Sequence, residues 1–343
     1  MTGGGRFGSS LVLGKFMPLH AGHVHVVREA AARSETVHVV VCHNPGQPIR
    51  GAARLAAARL EFSGMPGVVV HEMRDDGMPQ SDRECGTLDE FYSIWVPPVL
   101  ALTGPVDAVF TSEAYGDDFA RYLGAEHVEV DRSRSAFRVS GTDIRRDPLG
   151  NWDMVAPAMR PGLVRRVVVM GTESCGKSTL TERLARHYGT RYVEEWGRTV
   201  YERNGGRVGI GDFVPIAQGR QELEDRALPL SRAVLFCDTE DITTYLFSQM
   251  YCPLEWRQVE GWFERAIAEK PPFDLYILLS PDCPAVQDGT RNFLDERWGH
   301  HGRILAELEA RGRRHEVVGG GWEDRFRRSV ELVDEMLRSG SWS

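Results

Sequence analysis

Short apolar runs alternate with helix-periodic stretches along almost the whole chain, the pattern of α/β units laid around a parallel sheet. Two series are visible. The first has strand-like runs from Leu11 (LVLGKF), Thr36 (TVHVVVC), Val68 (VVVHEM), Asp107 (DAVFTS) and His127 (HVEVD). Between the early runs, Val24, Val27, Ala30 and Ala31 share one helical face, and the Ala/Arg/Leu stretch Gly51–Phe62 reads as a second helix. The second series opens at Val164 (VRRVVVMG) and continues at Ala233 (AVLFCD), Asp274 (DLYILLS) and His315 (HEVVG), with RYVEEWGRTV from Arg191 as a further strand-like stretch. The prediction is an α/β protein of two parallel-sheet domains, 11–150 and 163–343, with a flexible N-terminus over 1–10. Prolines and glycines crowd the stretch from Asp147 to Gly162, so a linker is expected over 151–162, with Trp152 packing on a neighbouring surface.

A length of 343 residues suits two domains, each able to bury its own core. Hydrophobic residues at 42% and charged residues at 26% exclude a largely disordered or low-complexity chain. Forty-one Lys and Arg against 49 Asp and Glu leave a net charge of −8, and basic tracts are short, so no nucleic-acid partner is expected. The six cysteines are scattered, with no C-x-x-C pair and no histidine at zinc-finger spacing, which reads as reduced thiols. No signal-peptide stretch and no run of about 18 apolar residues occurs, so a cytoplasmic protein without membrane insertion is expected. A homo-oligomer is compatible with the sequence, which does not set the oligomeric state.

Gly171-Thr172-Glu173-Ser174-Cys175-Gly176-Lys177-Ser178 fits G-x-x-x-x-G-K-[ST] between a strand and a helical pattern containing Leu180 and Leu184, and these residues with Thr179 are the nucleotide-binding candidates. Such a turn aims backbone N–H groups and a helix N-terminus at the β- and γ-phosphates of a nucleotide. Lys177 adds charge and the Ser178 hydroxyl can hold Mg²⁺. Asp238, closing the AVLFCD strand, is the candidate metal-side carboxylate, with a helix N-cap as its alternative role. Glu195 is the candidate base for an attacking hydroxyl, with Glu194 and Asp238 as competitors. Trp196 is a candidate for stacking on a flat heterocycle, with core packing as its plainer reading, and Arg198 beside it is the other substrate-binding candidate. Arg291, in Asp288-Gly289-Thr290-Arg291, could donate to a phosphoryl group from a closing loop.

The other half carries Gly14-Lys15-Phe16-Met17-Pro18-Leu19-His20-Ala21-Gly22-His23 after its first strand. Two imidazoles three residues apart at a helix start can face one site where unpaired N–H groups already attract anions, so a polyphosphate fits better than a metal. His20-Ala21-Gly22-His23 resembles the (T/H)xGH signature of the nucleotidylyltransferase superfamily, and Ser140-Gly141-Thr142-Asp143-Ile144-Arg145 resembles its S-x-T-x-x-R. Hydroxyls and N–H groups at such a helix start, with Arg145, would hold the leaving phosphates.

Together the motifs resemble the NadR family, from about Leu11 onward. Thr111-Ser112-Glu113, the run from Val130 to Arg145, the Glu195/Arg198 spacing and Asp238-Thr239 also match. The resemblance implies a Rossmann-like nicotinamide mononucleotide (NMN) adenylyltransferase domain followed by a P-loop ribosylnicotinamide kinase domain. The implied chemistry is pyridine nucleotide salvage: ATP phosphorylates nicotinamide riboside to NMN, and a second ATP adenylylates NMN to NAD and pyrophosphate, with Mg²⁺ serving both steps. His20, His23, Lys15 and Arg145 would act in the second step, with Gly14, Phe16, Gly22, Ser140 and Thr142 binding nucleotide. A tryptophan of the family's riboside site is replaced here by Glu194, with Trp196 nearby. Some members carry an N-terminal helix-turn-helix domain; only about ten residues precede the first strand here, so operator binding is not expected. Two alternatives are a different adenylyltransferase fused to another small-molecule kinase, and a non-catalytic nucleotide-sensing regulator.

Overall fold

The structure is a computed structural model that describes residues 7–284 and 294–339. They fall into two compact units that meet in sequence between Leu163 and Val164. In the first, strands β1 (Phe7–Gly14), β2 (Ser34–His43), β3 (Val68–Arg74), β4 (Ala108–Thr111) and β5 (Glu126–Glu129) form an all-parallel sheet ordered β3-β2-β1-β4-β5. In the second, β6 (Arg165–Gly171), β7 (Tyr192–Val193), β8 (Val234–Asp238), β9 (Leu275–Leu279) and β10 (His315–Val318) are parallel in the order β10-β9-β6-β8-β7.

The central strands are apolar on both faces because helices cover both. Val39, Val40 and Val41 of β2 and Val167–Met170 of β6 have no more than trace exposure, and all of β8 and β9 is buried. Edge strands are half-exposed, as at Val69 and Val317. In each unit the chain reverses direction across the sheet beside its first strand, which opens a crevice at the carboxyl ends of the strands.

Three expectations are corrected. β1 opens at Phe7, so Phe7–Ser10 belong to the sheet and pair with β2 instead of extending a flexible terminus. The expected linker is built into the first unit. Trp152, Val155, Met159 and Leu163 are each at most 3% exposed, a 3₁₀ turn over Pro157–Leu163 packs on the Gly51–Phe62 helix, and Val155 bridges to His20. Its apolar side chains gain more from burial than a spacer would keep in water. RYVEEWGRTV is strand only at Tyr192–Val193, and Trp196–Arg203 is a helix. Only Val193 there has a buried sheet position to fill, whereas Trp196 and Val200 lie four apart on one helical face.

Candidate active sites

In the first unit, His20 is the N-cap of the Ala21–Arg33 helix and its backbone N–H donates to His23 Nδ1 at 3.3 Å. The two rings stack with centroids 3.7 Å apart, and Phe16 closes on His23 edge-on at 4.9 Å. A side chain at position 22 would press on this pair, since a Cβ there would lie 3.1 Å from His20 Cε1. Burial, then Arg134, lowers the His20 pKa to about 4, and burial, His20 and Arg134 hold His23 well below its ordinary value. Both imidazoles are therefore neutral near pH 7. Because His23 Nδ1 accepts a hydrogen bond, its proton sits on Nε2.

The second wall is the short helix Gly141–Arg146. Ser140 caps it reciprocally with Asp143: the Asp143 N–H donates to Ser140 Oγ at 3.1 Å, and the Ser140 N–H donates to Asp143 Oδ2 at 3.0 Å. Arg145 ties the two motifs together, donating to the Met17 carbonyl and, at 3.1 Å, to Thr142 Oγ1. Gly141 makes the approach feasible, because a Cβ there would lie 2.5 Å from the Met17 carbonyl oxygen. Gly14, Lys15, Phe16, His20, Gly22, His23, Ser140, Thr142 and Arg145 all line one cavity of about 840 Å³.

In the second unit the 171–178 turn follows β6 and opens the Lys177–Tyr188 helix. Gly171, Ser174 and Gly176 have φ of 151°, 59° and 86°, the curled backbone that turns N–H groups to one side. Cys175 is fully buried, its thiol donating to the Thr172 carbonyl at 2.9 Å, so it shapes the loop from within. Lys177 Nζ donates to the same carbonyl at 3.1 Å. Burial alone would lower the lysine pKa, but Cys175, Glu195 and Asp238 outweigh it and raise it. Ser178 donates to Asp238 Oδ2 at 2.5 Å, while Asp238 Oδ1 is buried with no hydrogen-bond partner. Burial, reinforced by Glu195, raises the Asp238 pKa to about 7.

Beside Lys177 and Glu195 is a pocket walled by Trp196, Tyr201, Phe213, Phe247 and Tyr251. Arg198 and the Glu173–Ser174 edge of the loop also line it, and Glu173 accepts from the Tyr251 hydroxyl at 3.2 Å.

Three comparisons bear on this arrangement. The AAA domain family matches residues 166–325. The trifunctional NAD biosynthesis/regulator protein NadR of Escherichia coli (strain K12) is 30% identical over 348 residues, covering 95% of this chain and 83% of that protein. The chain belongs to the NadR family. Its fold is similar to that of a crystal structure of NadR protein in complex with NR, with TM-score 0.73 and 23% identity over 97% of each chain. A second NadR crystal structure, in complex with NAD and AMP-PNP, has TM-score 0.71 and 22% identity over 96% of each chain.

Within this NadR-family chain, the candidates named from the sequence sort by position. Glu195 lines the aromatic pocket and Asp238 lies behind it against Ser178, whereas Glu194 is exposed and outside the pocket lining. Thr179 sits exposed in the first helical turn after the loop. Asp288-Gly289-Thr290-Arg291 lies outside the described residues.

Sequence reasoning missed several members of the sites. Arg134 lines the first cavity, 3.0 Å from Glu113 Oε1, on a turn whose Asp131 accepts from the N–H groups of Ser135, Ala136 and Phe137. Arg54, with no exposure, donates to the carbonyls of Lys15, Cys42 and Ile49 and so fixes the Lys15 turn from behind. Tyr201, Phe213, Phe247 and Tyr251 were not singled out either; only their common position beside the loop marks them.

Among the described residues no cluster of three or more His, Cys, Asp or Glu could hold a metal ion. The orphaned Asp238 Oδ1 with the Ser178 hydroxyl nonetheless fits Mg²⁺, which keeps several waters and takes phosphate oxygens as ligands, needing few from the protein.

Proposed function

We propose that the second unit transfers the γ-phosphoryl group of ATP to the 5′-hydroxyl of nicotinamide riboside, and that the first joins the resulting NMN to the adenylyl group of a second ATP. The products are NAD and pyrophosphate. The observation that carries the reading is the aromatic pocket placed directly against Lys177 and Glu195. A pyridinium is a flat, delocalised cation, and aromatic faces attract such cations while hydrocarbon walls would not. The NR-bound and NAD-bound NadR structures support the same substrates.

In the second unit, the riboside sits with its ring among the aromatics and its hydroxyl at Glu195, which accepts the proton as the oxygen attacks phosphorus. Lys177 and the N–H groups of residues 171–178 hold the β- and γ-phosphates in line with it. Ser178 and Asp238 would hold Mg²⁺, which supplies charge neutralisation on the phosphate oxygens. Asp238 would ionise to do so, giving up the proton that burial favours.

The first unit's task is charge placement. The NMN phosphate oxygen attacks the α-phosphorus and pyrophosphate leaves. Neutral His23 donates from Nε2 toward the phosphate oxygens, and His20 holds its ring by the backbone bond and the stack. Lys15 and Arg134 oppose the developing charge. Arg145 spends two donors on Met17 and Thr142 and directs the rest of its guanidinium at the leaving phosphates.

The test is incubation of purified protein with ATP, Mg²⁺ and nicotinamide riboside, followed by chromatography. Appearance of NMN and then NAD is expected. Formation of neither would remove the reading.

A further inference from the structure

Trp322 opens the Trp322–Arg338 helix and is 51% exposed, unusual for an indole with a core within reach. Its ring lies against the phosphate-gripping loop so closely that a Cβ on Gly176 would come within 2.0 Å of its Cη2. The contact is held rigidly from below. Arg325, one turn on and 1% exposed, donates to the Cys175 carbonyl of the loop at 2.8 Å and to the carbonyls of Ser280 at 3.0 Å and Gly320 at 2.8 Å. On the outer side, Arg183 and Glu323 form a two-pronged ion pair at 2.8 and 2.7 Å, binding the loop's helix to Trp322's helix.

The flank matters. Lys177, Ser178, Asp238 and Glu195 mark where phosphoryl transfer takes place, and the acceptor pocket opens there; Trp322 is not in its lining. Glu323, the residue after Trp322, pairs with Arg183, further along the helix that starts at the loop. A nucleoside triphosphate whose γ-phosphate is at Asp238 must lead its sugar and base out of the loop on another side. A preformed, half-exposed indole on the rim meets a purine ring there, and stacking on aromatic side chains is a general way to hold a base.

We propose that Trp322 is the platform on which the purine base of the phosphoryl donor stacks in the second unit. The proposal rests on the reading of that unit as an ATP-dependent kinase and adds the residue that binds the donor outside its phosphates. Stacking grips the π-face without reading base edges, so Trp322 favours large purines over pyrimidines and discriminates little between adenine and guanine.

The kinase can be read alone in the full chain, because only phosphoryl transfer releases ADP; adenylyl transfer releases pyrophosphate. Trp322→Ala should raise the KM for ATP about tenfold with the KM for riboside within about twofold, and Trp322→Tyr should recover most of the loss. Inhibition by inorganic tripolyphosphate, which fills the loop without a base, should be unchanged. An unaltered KM for ATP would overturn the proposal. So would tripolyphosphate inhibition weakening in step with ATP, since Trp322 would then merely prop the loop. Absence of ADP release from wild-type protein would instead count against the kinase reading. The platform would then be decided by AMP-PNP quenching of intrinsic fluorescence. Quenching that shrinks in Trp322→Phe supports it, and identical quenching in both proteins overturns it.

Discussion

Burial acts on Asp238 and His20 with opposite consequences. Both lose the charged form, so Asp238 rises to about 7 and His20 falls to about 4. A carboxyl with a raised folded-state pKa costs stability as pH climbs from about 4 through 7, because the unfolded chain ionises first. Asp238→Asn should therefore stabilise the ligand-free chain at pH 8, by about 1–2 kcal/mol in denaturant titration, while lowering phosphoryl transfer about 100-fold or more. Lower stability in Asp238→Asn at pH 8 would contradict the burial argument. The histidine works the other way. With its folded pKa depressed, its contribution is complete above pH 6.5 and lost as pH falls toward 4, about 3 kcal/mol in all. Unfolding followed from pH 7 to 5 should show a smaller loss of stability in His20→Asn than in the wild type. Equal slopes would mean that His20 is not held neutral.

At the scale of elements, the sites are two turn-and-helix junctions, and they were legible in the sequence to different degrees for a physical reason. The 171–178 turn and His20–His23 demand particular residue types at short, fixed spacing: glycine where φ is positive, lysine at a helix start, two imidazoles on one face. Local rules suffice to read such strings. Arg134 depends instead on positive φ at two non-glycine residues, Asp131 and Arg134, and on a partner 21 residues away, Glu113. The aromatic pocket draws one or two residues from each of three helices, Trp196–Arg203, Phe213–Ala227 and Asp241–Tyr251, and each residue reads alone as ordinary core packing. The Leu88–Thr103 helix was hidden by Pro97 and Pro98 in its interior. The residues whose carbonyls those prolines leave without donors, Ser93 and Ile94, are exposed, so water can take over. Gly141 tests the junction in the first unit. Gly141→Ala drives a methyl group into the Met17 carbonyl and should cut adenylyl transfer tenfold or more, with ADP release from riboside unchanged. Undiminished NAD formation from NMN would show that the two motifs need not touch.

At the scale of the molecule, two parallel sheets of unlike strand order each present a turn-and-helix junction at the carboxyl ends of their strands. The acidic balance of −8 fits small anionic ligands held by local arginine and lysine better than any extended polyanion. The proposed function requires two separate sites that act in succession on one pyridine compound. Product analysis with ATP, Mg²⁺ and either riboside or NMN tests it in three proteins: wild type, Lys177→Ala and His23→Ala. Wild type should convert both substrates to NAD. Lys177→Ala should leave riboside untouched yet form NAD from NMN at near wild-type rate, and His23→Ala should accumulate NMN with NAD formation down about 100-fold or more. Loss of both conversions in either folded variant, or full NAD synthesis from riboside in either, would contradict it.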